Sequence, residues 1–262
     1  MVDLKDKESV SSLLQQVVAL SIRAGDAIME IYNGPDFQVT HKEDKSPLTA
    51  ADLASHAAIE QGLTALTPEW PVLSEESEGT PYETRRDWPV FWLVDPLDGT
   101  REFLKRNGEF TVNIALVEAD VPILGVVYAP ASGKMYFAAR GVGAFKQENG
   151  ETLPIRVQRG PEGATRVIIS RSHSGDETEL YTRQYGKCEF VPMGSSLKFC
   201  LVAEGVADLY PRSGPTMEWD TAAAHCILDQ AGGSVTAADG ARLRYNKPSL
   251  LNPGFLASGI PA

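Results

Sequence analysis

Val90-Phe91-Trp92-Leu93-Val94 is a near-continuous apolar run that stops on Asp95-Pro96-Leu97-Asp98-Gly99-Thr100, and this junction constrains the fold more than any other stretch. An unbroken apolar run of this length reads as a buried strand. Pro96 bends the chain at its end, and Gly99 frees the backbone beside a second acid. Two carboxylates three residues apart in a tight turn can face one point, with the Leu97 carbonyl between them. Hard cations such as Mg²⁺ take oxygen ligands of this kind, together with waters and phosphate oxygens. Taken alone, the run equally fits a strand end at Asp95 followed by a helix capped by Asp98 or Thr100.

Other acids stand at comparable places. Apolar spacing predicts a first helix over residues 10–32, using Leu13, Leu14, Val17, Leu20, Ile22 and Ile28, and stopped by Asn33-Gly34-Pro35. A second helix follows Pro47, with Thr49 or a neighbour as cap, Asp52 in its first turn, and Ala54, Ala57, Ala58, Leu63 and Leu66 on one face before Thr67-Pro68. The strand Val72-Leu73-Ser74 delivers Glu75-Glu76, and Asp220 opens a helix that closes at Gly232-Gly233. Five acids, Asp52, Glu75, Asp95, Asp98 and Asp220, thus sit near strand or helix ends; Glu76 reads either as a residue behind the ligands or as a solvated neighbour.

Residues 110–118, 123–128 and 134–139 read as antiparallel strands. Loop-like Gly160-Pro161-Glu162-Gly163 marks a boundary between residues 1–160, an α+β part with the metal site, and residues 161–262, an α/β part. The second part carries strands near 167–170, 189–191 and 208–210 and helices near 177–185 and 197–204. With 262 residues, 43% hydrophobic and 23% charged, the chain has the composition of a folded globular protein. A net charge of -11 speaks against a nucleic-acid surface, which needs clustered Lys and Arg. Three cysteines without CxxC spacing argue against a disulfide framework or structural zinc, and Cys200 and Cys226 fall in apolar helical patterns as core residues. The first ten residues lack the apolar core of a secretory signal, and no run is long enough to span a membrane. The expected compartment is a reducing cytoplasm, with docking on the inner membrane face left open, as is the oligomeric state.

The ordered motifs Thr49-Ala50-Ala51-Asp52, Ser74-Glu75-Glu76-Ser77, Asp95-Pro96-Leu97-Asp98-Gly99-Thr100 and Glu218-Trp219-Asp220 resemble the inositol monophosphatase superfamily of lithium-sensitive, Mg²⁺-dependent phosphatases. That resemblance implies a layered αβαβα sandwich of the α/β (α+β) class. It implies that Glu75, Asp95, the Leu97 carbonyl, Asp98 and Asp220 hold two or three Mg²⁺ ions. Asp52 and Thr100 would then orient the attacking water, with Gly99 and Thr100 at the reacting phosphate.

Within the superfamily, Arg101-Glu102-Phe103 followed by Lys105-Arg106-Asn107-Gly108-Glu109-Phe110-Thr111-Val112-Asn113-Ile114 looks like the bacterial 3'(2'),5'-bisphosphate nucleotidases; inositol monophosphatases usually show Thr-Asn after the shared Gly-Thr. The substrate implied is a small phosphorylated nucleotide, 3'-phosphoadenosine 5'-phosphate, cleaved to AMP and phosphate in sulfate assimilation. Its second phosphate requires basic and hydroxyl groups away from the acids. The segments Ser170-Arg171-Ser172-His173, Gly194-Ser195-Ser196-Leu197-Lys198 and Tyr210-Pro211-Arg212 resemble nucleotide-contacting segments and offer His173, Ser195, Lys198 and Arg212. Backbone amides at Gly194-Ser195-Ser196 could add to them. The alternatives are a sugar-phosphate phosphatase of the inositol monophosphatase kind and a nucleotide- or metal-binding protein without turnover.

Overall fold

A computed structural model describes residues 2–37, 39–41, 47–77, 79–158, 163–170 and 184–260. Helix α1 (Lys7–Tyr32) starts earlier than the apolar spacing predicts, because the Asp6 side chain accepts from Ser9 N at 2.8 Å and caps it. The short pair β1 (Thr40–His41) and β2 (Pro47–Leu48) leads into α2 (Ala50–Leu66). A seven-stranded sheet follows in spatial order from β3 (Val72–Ser74) and β4 (Val90–Asp98) through β5 (Thr111–Glu118), β6 (Val121–Ala129), β7 (Lys134–Ala139) and β8 (Gly143–Glu148) to β9 (Glu151–Pro154). All pairings in it are antiparallel except β3 with β4. The short helices α3 (Tyr82–Arg85) and α4 (Thr100–Leu104) interrupt this run.

The second sheet has the order β11 (Cys188–Met193), β10 (Thr165–Ser170), β12 (Leu209–Arg212), β14 (Phe255–Ser258) and β13 (Ser234–Ala237). Between the sheets lie α5 (Leu197–Ala203) and α6 (Glu218–Gln230). Helices α1 and α2 pair with one another and cover the other face of the seven-stranded sheet. The described layers therefore run helix, sheet, helix, sheet, as the α/β sandwich requires. The outer helix expected near residues 177–185 lies outside the described residues except for 184 and 185.

Alternation along β4 divides two cores. Trp92 and Val94 pack toward α1 and α2, while Phe91 and Leu93 join a cluster with Ala222, Ala223 and Ile227 of α6 and Ile168, Tyr210 and Phe255 of the second sheet. That second cluster joins residues from both sides of position 160. Close contact of α6 with the sheet depends on Gly125, where a Cβ would collide with the Ala223 carbonyl.

Three local expectations are corrected. Ile22 is 38% exposed, so the buried face of α1 runs through Val18, Ser21, Ala24 and Gly25 instead. On α2, Ala57 is exposed and the buried stripe is Ala51, Ser55, Ile59 and Leu63, with Asp52 beside it. Small alanines carry little information on which face turns inward. Finally, β4 does not stop at Asp95: pairing resumes at Asp98 opposite Thr111, after Asp95 opposite Asn113. Three steps on β4 thus match two on β5, a one-residue bulge that lets Pro96 sit in a strand without breaking it.

Candidate active site

Strand parity decides where the acids go. Asp95 follows Phe91 and Leu93 onto the face covered by α6, which carries Asp220 in its first turn. Strand β3 runs parallel to β4 and ends one residue before Glu75, whose amide donates to Val94 O at 3.1 Å. Carboxylate oxygens of Glu75, Asp95 and Asp220 consequently lie within 4.8 Å of one another. Asp98 follows across the bulge, outside that group of three but near enough for its charge to act on both Asp95 and Asp220.

The electrostatics of the cluster suit a cation. Burial, then the charges of Glu75, Asp98 and Asp220, push the Asp95 carboxyl well above the ordinary range. Burial and Asp98, helped by Glu75, push Asp220 up to about 8, against the amide of Met217 that donates to it. Desolvated acids this close repel unless a cation stands between them, and an all-oxygen donor set suits a hard divalent ion. Mg²⁺ fits the residues present.

Helix α2 presents the predicted Asp52. Thr49 N and Thr49 Oγ1 donate to Asp52 Oδ2 at 2.8 and 2.6 Å, closing a capping box at the helix start. Its other oxygen, Oδ1, is 3.4 Å from Thr100 Oγ1, which lies 3.5 Å from the Leu97 carbonyl. The same helix steadies the bulge, since Ser55 Oγ donates to Pro96 O at 2.7 Å. At Gly99 the backbone has φ +95°, and a Cβ would stand 3.0 Å from Glu109 O; glycine is what lets α4 start there.

Next to the acids opens a cleft of about 190 Å³ lined by Asp98, Gly99, Arg101, Ser195, Lys198, Arg212 and Asp220, among others. The predicted Lys198 points its Nζ at Ser195 O, 2.6 Å away, and over the Tyr210 ring. Burial draws its ammonium below the usual range, while the charge of Asp98 opposes that. Arg212, at the end of β12, donates from Nη2 to Pro215 O, and its Nε is buried with no hydrogen-bond partner among the described residues. Ser195 lies on the wall in a left-handed conformation, φ +45°. His173 lies outside the described residues.

The amides at the start of α5 differ from expectation. Gly194 N donates to Glu109 Oε2 at 2.9 Å and Ser196 N to Asp98 Oδ2 at 2.6 Å, so both are held by acids of this chain. Glu109, Asn113 and Ser196 were not singled out as site residues, although polar Thr111 and Asn113 on one face of an otherwise apolar strand are a visible signal. Other motif residues serve the scaffold. Phe103 packs at tilted and edge-on angles among Tyr32, Phe37 and Phe110, and Arg106 donates to Tyr32 O and Gly34 O at the end of α1. Glu218 is wholly buried and accepts from Lys247 Nζ and from the amides of Asn246 and Lys247, tying a C-terminal loop to the helix that carries Asp220. Among the described residues, no helix is long and apolar enough to cross a membrane.

The profile of the inositol monophosphatase family matches residues 9–259. The chain is 53% identical to the 3'(2'),5'-bisphosphate nucleotidase CysQ of Salmonella typhimurium, over 93% of this chain and 98% of that protein. Its fold superposes on the crystal structure of CysQ from Bacteroides thetaiotaomicron, a bacterial member of the inositol monophosphatase family, with a TM-score of 0.84 and 42% identity, covering 96% of this chain and 98% of that one. An inositol monophosphatase from Anabaena superposes with a TM-score of 0.73 at 25% identity, covering 97% and 92%.

Proposed function

This chain belongs to the inositol monophosphatase family, and from that membership we propose that it is a Mg²⁺-dependent 3'(2'),5'-bisphosphate nucleotidase that removes the 3'-phosphate of 3'-phosphoadenosine 5'-phosphate, giving AMP and phosphate in sulfate assimilation. The supporting observation is one cleft with two kinds of wall. Asp98 and Asp220 line it together with Lys198 and Arg212, whose buried Nε has no hydrogen-bond partner among the described residues. A substrate with one phosphate to lose and another to be gripped matches both.

In this reading Glu75, Asp95, the Leu97 carbonyl, Asp98 and Asp220 hold two or three Mg²⁺ ions. Bound Mg²⁺ supplies Lewis acidity to the phosphoryl oxygens and lowers the pKa of water. The protein's own groups do the aiming. Asp52, with Oδ2 already fixed by Thr49, keeps Oδ1 for the Thr100 hydroxyl. Thr100 then donates toward Asp52 and accepts a hydrogen bond from the water, which directs the water's lone pair at phosphorus. Gly99, without a side chain, lets the reacting phosphate approach the turn. Ser195, Lys198, Arg212 and His173 hold the nucleotide and its second phosphate.

The grip on that second phosphate is testable by comparing the bisphosphate with adenosine 3'-monophosphate. Arg212→Ala and Lys198→Ala are expected to cut the preference in kcat/KM for the bisphosphate by about tenfold or more, the loss of a charged hydrogen bond. An undiminished preference in both variants would contradict the assignment.

A further inference from the structure

Three polar side chains are buried between β5 and the start of α5: Thr111, Asn113 and Ser196 are 0%, 1% and 3% exposed. Their hydrogen bonds run in one direction. Thr111 Oγ1 donates to Asn113 Oδ1 at 3.0 Å, which fixes the amide so that Asn113 Nδ2 donates to Ser196 Oγ at 2.8 Å. Ser196 Oγ lies 2.9 Å from Asp98 Oδ2 and 2.7 Å from the backbone carbonyl of Asp220, and Ser196 N reaches the same Asp98 oxygen at 2.6 Å. A hydroxyl has one proton and two lone pairs. With Asn113 occupying a lone pair, the proton of Ser196 is left for Asp98 or for the Asp220 carbonyl, both belonging to residues that converge on the acid cluster from different layers.

We propose that Asn113 and Ser196 are positioning residues that hold Asp98 at Oδ2, so that Oδ1 is presented to a divalent cation and the β4 bulge is kept in register with the first turn of α6. The proposal rests on the reading of Asp98 and Asp220 as cation ligands and extends it to residues that do not touch the ion. Asp98 ends β4, where β5 pairs with it through Thr111 but β3, whose pairing stops at Val94, does not reach. The Ser196 amide and hydroxyl supply the missing constraint from the opposite layer. Asn113 stands opposite Asp95 in the strand ladder, so one residue of β5 is placed beside Asp95 and linked through Ser196 to Asp98.

The test is a Mg²⁺ titration of the melting temperature, without substrate, for the intact chain and for Ser196→Ala, Ser196→Thr and Asn113→Ala. Groups that orient metal ligands typically change metal affinity by 10–100-fold when removed. Ser196→Ala and Asn113→Ala are expected to raise the Mg²⁺ concentration at half-maximal stabilisation by about tenfold or more. Ser196→Thr keeps the hydroxyl at a residue that lines the cleft, and is expected to stay near the parent value. Should Asn113→Ala fail to fold, Ser196→Ala decides, since it deletes a single oxygen. Variants that melt lower by the same amount with and without Mg²⁺, at an unchanged midpoint, would reduce the chain of bonds to a structural tie and overturn the proposal. So would a Ser196→Thr midpoint as poor as that of Ser196→Ala. An intact chain that shows no Mg²⁺-dependent shift would instead remove the cation reading itself, and the proposal with it.

Discussion

Asp95 is the residue on which the site turns, because it stands among three other acids and is pushed well above the ordinary carboxylate range by burial and then by their charges. Asp95→Asn keeps the shape and removes a charge from the donor set that would hold the cations whose Lewis acidity stabilises the phosphoryl group. Turnover is expected to fall by about a thousandfold or more, read as Mg²⁺-dependent phosphate release; a loss of less than about tenfold would contradict a metal-bridging role. The acids were legible in the sequence because the chemistry demands their side chains at strand and helix ends. Ser196, Asn113 and Glu109 were not, since their roles depend on partners 83 to 98 residues away. No local pattern distinguishes a serine that caps a helix from one that also holds an aspartate in another layer.

Helix α2 links folding to chemistry at the scale of one element. Thr49 caps it and donates to the Asp52 oxygen that is not used toward Thr100. Thr49→Ala should therefore cost about 1 kcal/mol of stability, the usual value for a lost N-cap, and also lower kcat by releasing Asp52. A melting temperature that drops while kcat holds would separate the cap from the water-aiming pair. The cap was readable because Thr followed three positions later by an acid is a local signal. The strand through Pro96 was not, because a bulge is defined only by its partner strand. The exposed hairpin of β8 and β9 was missed although Asn149-Gly150, with φ +54° and +80°, is a turn signal; its strands lack clear apolar alternation.

The whole molecule brings acids from the seven-stranded sheet and from α6 into one buried cluster, and that placement has a pH signature. The folded-state pKa of Asp220, about 8, lies above its ordinary 3.8, and Asp95 is raised in the same direction. For a group raised on folding, stability without cation is fully present below the ordinary value and is lost as pH rises through the folded one, by at most about 1.4 kcal/mol per pH unit for each proton. A cation that neutralises the cluster offsets this loss. The rise in melting temperature on adding Mg²⁺ should therefore grow between about pH 5 and pH 8; a rise greatest at the acid end would contradict it. The layered architecture followed from the family motifs, since periodicity marks helices and strands without ordering them in a sheet. The central claim is that one cleft joins a Mg²⁺ site to a grip for a second phosphate, and the most direct measurement is phosphate release under Mg²⁺ from 3'-phosphoadenosine 5'-phosphate, inositol 1-phosphate and fructose 1,6-bisphosphate side by side. The account predicts the highest kcat/KM for the nucleotide and no release once Mg²⁺ is chelated; preference for either sugar phosphate, or binding of the nucleotide without release, would contradict it.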